Sequence, residues 1–292
     1  MCQGCHEGEA NLKPIPQESQ RERCLRAELD SPNQPDYGLK HPMRLFLPLL
    51  ALGWGIISAS AQWSIFAEKL PAPGHWATYQ IEGIKPNEPA SLTTIRLSVR
   101  DGGTLTEKPY VWLSIEPIAW LGSKEKAPLR FLLPQNLDRA GANKLLESAA
   151  EIVFSNPVKG AYHMLPEDVT SLSDKVGYKN TNSLEADTPN VELIKIGEKS
   201  WTCHRLKMEC FTVIDPPFVK KQTIIIRGTV WKDDTIPFGV VQAKWAEKSI
   251  KGDKVNEEQR VLTLTGFGKE TAPDQALDRG DRFSIWKLLF NR

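Results

Sequence analysis

Two cysteines and a histidine near the N-terminus have the spacing of a haem-attachment motif. Cys2, Cys5 and His6 match the Cys-x-x-Cys-His pattern to which c-type haem is attached. Haem attachment requires the motif inside an exported, folded domain, and here it precedes the segment that we interpret below as an export signal. A zinc site would need a second pair of ligands, and only the distant Cys24 lies on the same side of that signal. We therefore predict neither haem nor a metal at this motif.

The rest of the sequence lacks the residue patterns that are typical of catalytic or phosphate-binding sites. His75, His163 and His204 do not have the spacing that places two metal ligands on one face of an element. There is no Gly-x-Ser-x-Gly nucleophile motif, and the Gly-Phe-Gly at 266–268 lacks the following helix that a dinucleotide-binding loop requires. The sequence therefore predicts a protein that is not an enzyme and that has no cofactor.

Composition excludes two broad classes of protein. The 292 residues include 37 Lys and Arg against 36 Asp and Glu, whereas a nucleic-acid-binding protein needs a net basic surface. Hydrophobic residues make up 40% of the chain, which excludes wholesale disorder. The 21 prolines and 9 tryptophans favour turns and half-buried strands over long helices. We expect a sheet-rich globular protein that does not bind nucleic acid.

Residues 43–61 have the three parts of a secretory signal peptide. Arg44 precedes an apolar run at 45–57, and the segment ends in the small-residue sequence Ala-Ser-Ala. Cleavage would fall between Ala61 and Gln62. This pattern predicts an exported protein of the periplasm or cell envelope.

The start of the chain allows two alternatives. Residues 1–42 combine several prolines with mixed charges, so we interpret them as a non-native or disordered extension and Met43 as the start. If Met1 is the start, residues 45–67 are long enough to span the inner membrane as an uncleaved anchor. Both alternatives export residues 68–292.

Most of the sequence at 76–268 alternates between apolar and polar side chains with the period of a β-strand. Turn residues such as those at 101–103 separate the alternating segments. We predict a mainly β domain, a curved antiparallel open half-barrel of roughly nine strands. Its one helix is predicted at 137–154 and a long loop at 157–190. Residues 62–75 are predicted as a linker. The predicted strands are 76–82, 92–100, 110–116, 129–133, 191–196, 200–214, 223–232, 238–246 and 258–267.

The polar tail at 269–292 ends in an apolar segment. Residues 283–290 are mostly apolar, and Arg282, Lys287 and Arg292 surround them. Such a segment is typical of an element that contacts a membrane surface or a partner. The alternative is a terminal helix that packs on its own sheet, and the sequence leaves both alternatives open.

Two cysteines lie in the predicted exported domain. Cys203 and Cys210 both fall in the predicted strand at 200–214. Seven residues of extended strand would separate their Cα atoms by about 23 Å, whereas a disulfide needs these atoms within about 7 Å. A tight hairpin at 205–208 would bring them together, but Arg-Leu-Lys-Met contains no residue that favours a turn. We predict two unlinked thiols.

The sequence order at 191–246 is similar to that of a known family. Gly-Glu-Lys at 197–199 precedes a long strand, a later strand ends at Trp231, and Pro-Phe-Gly at 237–239 opens the next one. This order resembles the LolA/LolB-like superfamily of exported bacterial carriers of outer-membrane lipoproteins, over about residues 76–267. The resemblance implies an open half-barrel covered by helices, with a lipid or lipoprotein acyl chain as the ligand. The carriers use several helices where this sequence predicts one.

One face of the predicted sheet is apolar and is the candidate ligand surface. From this face we select Tyr79, Leu97, Leu113, Ile226 and Trp245 as ligand-binding residues. In the alternative interpretation, the same face is a solid core beneath the helix, and the protein is an envelope scaffold or interaction module. The alternation also places on this face Ile81, Ile95, Val99, Val111, Ile115, Ile224, Val241 and Val261.

Overall fold

The computed structural model of the protein describes residues 63–119, 126–156, 160–217, 220–271 and 277–284. All of them belong to the second of two compact units, which comprises His41–Arg292. The predictions for residues 1–42, for the signal segment at 43–61 and for the apolar residues from 285 onward lie outside the described residues.

The strands form one open, twelve-stranded sheet. Paired strands are antiparallel, except that β12 runs parallel to β6. β1 pairs with both β2 and β11, so it joins the two halves of the sheet. The predicted fold class, a mainly β, open antiparallel sheet, is confirmed. The strands are β1 (His75–Ile84), β2 (Ser91–Leu105), β3 (Lys108–Ala119), β4 (Lys126–Pro134), β5 (Glu151–Asn156), β6 (Gly160–Met164), β7 (Lys179–Ile196), β8 (Lys199–Ile214), β9 (Gln222–Lys232), β10 (Val240–Lys251), β11 (Lys254–Lys269) and β12 (Asp281–Arg282). Their order in the sheet is β12-β6-β5-β4-β3-β2-β1-β11-β10-β9-β8-β7.

The helices of the described residues are short. α1 is described over residues 63–67. It is followed by α2 (Arg139–Asn143), α3 (Leu145–Ser148) and α4 (Pro166–Val176). Among the described residues, the helices are too short to cross a bilayer.

The single helix predicted at 137–154 is replaced by α2, α3 and β5. Asp138 starts α2, because its carboxylate accepts a hydrogen bond from the Gly141 amide at 2.7 Å. Further along, the β-branched and aromatic residues Ile152 and Phe154 pair with strands on both sides as part of β5. Pairing with β4 and β6 therefore overrides the helical spacing of the apolar residues.

The long loop predicted at 157–190 contains β6, α4 and the first part of β7. Pro166 begins α4, the Asp168 carboxylate accepts a hydrogen bond from the Leu165 amide at 3.0 Å, and Gly177 ends the helix at a φ of 58°. β7 lies at the edge of the sheet, where most of its side chains are exposed. An edge strand of this kind lacks apolar alternation, which explains why its first part is predicted as loop.

One face of the sheet, which we call the inner face, packs with α1–α4 into a single apolar cluster. Most of the residues that the alternation assigns to this face are buried there, and Ile81 is half-buried against the cluster. Val261 is an exception, since β11 places Leu262 opposite Ala243 and buries it instead. Adjacent apolar residues leave the face of a strand ambiguous in sequence, and the pairing of β10 with β11 decides it.

A smaller apolar cluster lies on the opposite, outer face. It contains Trp112, Leu132 and Val153, with Leu277 of the C-terminal segment packed against it. The tail then forms β12, and the Phe283 ring lies 5.9 Å from the Phe154 ring. The described part of the tail therefore packs on its own sheet, through residue 284.

Candidate functional site

The five predicted ligand-binding residues are all buried on the inner face. Tyr79, Leu97 and Leu113 lie on the neighbouring strands β1, β2 and β3 and are 0% exposed. Ile226 of β9 and Trp245 of β10 lie in the other half of the sheet, at 1% and 6% exposure. The five residues thus form two groups in one apolar cluster.

The segment that follows the predicted signal peptide covers part of the inner face. Trp63, Ile65 and Phe66 of α1 are all buried, and the Phe66 ring lies 5.1 Å from the ring of Tyr79. The Tyr79 hydroxyl donates a hydrogen bond to the Val240 carbonyl at 3.1 Å, and burial raises the pKa of this phenol. Residues 62–75 are predicted as a linker, and the structure places the described residues 63–67 in this helix. The three apolar residues Trp63, Ile65 and Phe66, directly after the predicted cleavage site, could have indicated this helix from the sequence.

An ionic cluster holds the end of α1 against the rest of the domain. The Glu68 carboxylate accepts hydrogen bonds from Arg139 Nε at 2.7 Å and from Lys232 Nζ at 2.5 Å. These partners come from α2 and from the end of β9, so the cluster joins three distant parts of the sequence. The Lys69 ammonium also pairs with the Asp234 carboxylate at 2.8 Å.

Burial and charge act in opposite directions on this cluster. Burial disfavours ionisation of Glu68, but Lys232 and Arg139 outweigh it and lower the pKa of Glu68. Burial also lowers the pKa of Lys232, and the carboxylate of Glu68 only partly offsets this. The sequence patterns did not indicate this cluster, because its members lie far apart along the chain.

The inner face becomes polar toward the β10–β11 turn. Trp245 pairs across the strands with Arg260, and the next pair is Glu247 with Glu258. The Arg260 guanidinium lies 3.1 Å from the Glu258 carboxylate and 3.6 Å from that of Glu247. Both carboxylates are mostly buried, with 16% and 18% of their side chains exposed. This arrangement places a charged group directly beside the apolar surface.

Cys203 and Cys210 lie on one strand, as the sequence predicts. Cys203 and Cys210 are both buried in β8, and both thiols are free. Burial raises the pKa of Cys203 to about 12 and that of Cys210 to about 11. The thiols are therefore protonated near neutral pH, which is not the state of a nucleophile or metal ligand. In the part of the chain that the structure describes, no His, Cys, Asp and Glu side chains group into a metal site.

Two cavities of the domain lie away from the five predicted ligand-binding residues. The first, of about 10 Å³, is lined by residues of α1, α2, β7 and β8, including Ile65, Asn182 and Met208, and has room for about one water molecule. The second, of about 500 Å³, is lined by the β1–β2 turn and by charged residues such as Arg227 and Lys248. None of the five predicted residues lines either cavity.

No protein-family model matches the chain, and no curated protein matches it. Several solved structures are similar to it, including the following three. A protein described as exported, with a YmcC-like fold, from Bacteroides fragilis has 12% identity and a TM-score of 0.31, over 68% of this chain and 98% of its own. A DUF1329 family protein from Desulfovibrio piger has 7% identity and a TM-score of 0.27, over 74% of this chain and 94% of its own. A LolA superfamily protein from Nitrosomonas europaea has 8% identity and a TM-score of 0.25, over 75% of this chain and 95% of its own.

The third of these structures belongs to the superfamily that the sequence order resembles. At identities of 7% to 12%, these likenesses concern the fold and not a ligand or an activity. The chemistry of the inner face is therefore the basis for a function.

Proposed function

We propose that the protein is a non-enzymatic protein of the bacterial cell envelope, which binds a lipid acyl chain or another apolar ligand on the inner face of its sheet. One observation carries the proposal. The cover over Tyr79 is the described part of α1, which directly follows the predicted cleavage site and packs on the inner face through Trp63, Ile65 and Phe66. Most of the stability of a helix in a protein comes from such tertiary packing, so a ligand that replaces these contacts can displace the cover.

The size of the cover sets a lower limit on the ligand. Moving Trp63, Ile65 and Phe66 into water would cost about 5–9 kcal/mol, at roughly 1.5–3 kcal/mol for each side chain. A bound chain gains about 0.8 kcal/mol per methylene, so roughly 6–11 methylenes would offset that cost. The proposal therefore requires a ligand whose chain has at least about six methylenes.

The ionic cluster at Glu68 gives the displaced helix a fixed attachment point. Its hydrogen bonds to Arg139 and Lys232 lie just beyond the last helical residue. A hinge at this point would let α1 leave the inner face while residues 68–69 stay in place. Export is part of the proposal, with cleavage after Ala61. The alternative anchor over residues 45–67 would take the residues of α1 off the inner face, where Trp63, Ile65 and Phe66 are buried.

Fluorescent-probe binding to a variant with a weakened cover tests the proposal. Phe66→Ala should bind diphenylhexatriene several-fold more tightly than the unaltered protein, because less packing opposes displacement of α1. Methyl palmitate should displace the probe and methyl butanoate should not. Leu132→Ala is the matched control, since it removes a buried side chain from the outer-face cluster. It should lose stability, by about 2–5 kcal/mol, and bind as the unaltered protein does.

A second candidate is an envelope scaffold or interaction module with a solid core. It is favoured by the burial of the five predicted residues, which are between 0% and 6% exposed. In that case neither the unaltered protein nor Phe66→Ala binds the probe, and Phe66→Ala is destabilised without any gain in affinity. That outcome would reject the proposed ligand binding.

A further inference from the structure

Trp245 and Arg260 are cross-strand neighbours at the polar end of the inner face, and each has a buried hydrogen-bond donor without a partner among the described residues. Trp245 is 6% exposed, and its indole Nε1 has no hydrogen-bond partner among the described residues. Arg260 faces Trp245 across β10 and β11, and its buried Nε also lacks a hydrogen-bond partner there. Side chains directly opposite each other on antiparallel strands share a face and lie about 5 Å apart at Cβ.

A glycine lies opposite Trp245 on the neighbouring strand β9. Gly228 is the partner of Trp245 on β9. A Cβ at Gly228 would lie 2.5 Å from the Trp245 Cβ and 2.1 Å from the Lys244 carbonyl oxygen. Only glycine therefore allows β9 and β10 to approach each other this closely at Trp245.

A buried donor that makes no hydrogen bond is destabilising, because it has lost its hydrogen bonds to water without replacement. Two such donors on cross-strand neighbours point to an acceptor atom supplied by a ligand. The apolar surface continues from this point through Ala243, its neighbour Leu262 and Ile226, which are all buried. A ligand here would therefore have an acceptor group at one end and an apolar chain at the other.

The charge of the site discriminates between acceptors. The one guanidinium of Arg260 faces the carboxylates of Glu247 and Glu258, at 3.6 Å and 3.1 Å. A ligand anion beside these two mostly buried carboxylates is repelled. A carboxylate or phosphate ligand is therefore disfavoured, and a neutral acceptor is not.

We propose that the Trp245–Arg260 end of the inner face binds the neutral carbonyl group of an acyl ester or amide. Trp245 Nε1 and Arg260 Nε donate hydrogen bonds to the carbonyl oxygen, and the acyl chain lies along the apolar residues toward Ala243 and Leu262. This inference rests on the proposed binding of an apolar ligand and adds to it the polar group of that ligand.

Three probes of similar apolar character test the inference in the full chain. cis-Parinaric acid methyl ester has a neutral carbonyl, cis-parinarate has a carboxylate, and diphenylhexatriene has no acceptor. The unaltered protein should bind the methyl ester roughly tenfold more tightly than parinarate. Trp245→Phe keeps an aromatic ring and removes the N–H, so it should weaken binding of the methyl ester by roughly tenfold, about the effect of one hydrogen bond. It should leave diphenylhexatriene binding unchanged.

Trp112→Phe is the matched control, because Trp112 is 7% exposed and lies in the outer-face cluster. It should bind all three probes as the unaltered protein does. Arg260→Lys keeps the charge and removes the Nε donor, so it repeats the test independently if Trp245→Phe does not fold. Each variant is first compared with the unaltered protein by urea denaturation.

The outcomes separate this inference from the proposed function. If diphenylhexatriene binds and neither variant changes the affinity for the methyl ester, the carbonyl site is rejected and apolar-ligand binding stands. Tighter binding of parinarate than of the methyl ester would also reject the neutral-carbonyl assignment. If the unaltered protein binds none of the probes, the proposed function itself is rejected.

Discussion

The ion pair between Glu68 and Lys232 gives the sharpest prediction about stability. The side chains of Glu68 and Lys232 are 20% and 11% exposed, and the two groups are 2.5 Å apart. Arg139, the other partner of Glu68, is half exposed. Glu68→Gln keeps the shape of the side chain and removes its charge, so the buried ammonium of Lys232 loses its hydrogen-bonded counter-charge and keeps only the weaker attraction of Asp234.

Breaking a buried pair by removing one partner costs about 3–5 kcal/mol, because the remaining charge stays uncompensated. The lower end applies here, since a glutamine can still accept a hydrogen bond and Glu68 is partly exposed. The loss of the exposed Arg139 contact adds only about 0–1 kcal/mol. We expect Glu68→Gln to lower the free energy of unfolding by about 3 kcal/mol at neutral pH.

Urea denaturation of four proteins measures this effect: the unaltered protein, Glu68→Gln, Lys232→Met and the double variant. The double variant should recover most of the stability lost in Glu68→Gln, because it has no unpaired buried charge. Asp234→Asn is the matched control. It breaks the exposed Lys69–Asp234 pair, whose side chains are 43% and 86% exposed, and should cost less than about 1 kcal/mol. Equal effects of Glu68→Gln and Asp234→Asn, or additive effects of the two changes at Glu68 and Lys232, would refute the reasoning.

The same cluster predicts a pH dependence. The folded state lowers the pKa of Glu68 below its ordinary value of 4.5, so the unfolded state binds a proton first as the pH falls. The stability that Glu68 contributes is therefore complete above pH 4.5 and is lost as the pH falls through the folded-state pKa. Urea denaturation across the acid range should show a smaller loss of stability in Glu68→Gln than in the unaltered protein.

Two further predictions concern the N-terminus of the mature protein and the two cysteines. Mass spectrometry of protein purified from its own cell envelope should find a chain that begins at Gln62, whereas recovery of peptides from residues 1–42 would favour the anchor. Cys203 and Cys210 should react with iodoacetamide at pH 8 only after unfolding, because burial raises both thiol pKa values well above that pH. The mass of the folded protein should also be unchanged by reduction. An increase would show a disulfide between Cys203 and Cys210 and would contradict this prediction.

Local sequence patterns predicted the central strands and the faces of their side chains. Tyr79, Leu97 and Leu113 alternate with polar residues, and each lies in a strand with one buried face. The alternation is a local property, because successive side chains of any strand point to opposite faces. It therefore identified β1, β2 and β3 and the apolar character of the inner face without knowledge of their partners.

The remaining features depend on contacts between distant parts of the chain. β5 is a strand because β4 and β6 pair with it, and β11 buries Leu262 because of its register with β10. The pairing of Glu68 with Lys232 joins residues that are 164 positions apart. Trp245 and Arg260 likewise become neighbours only when two strands pair. The sequence by itself determined which segments are apolar on one face, and the tertiary structure decided which polar groups meet at that face, since burial and pairing of charges arise only between segments that folding brings together.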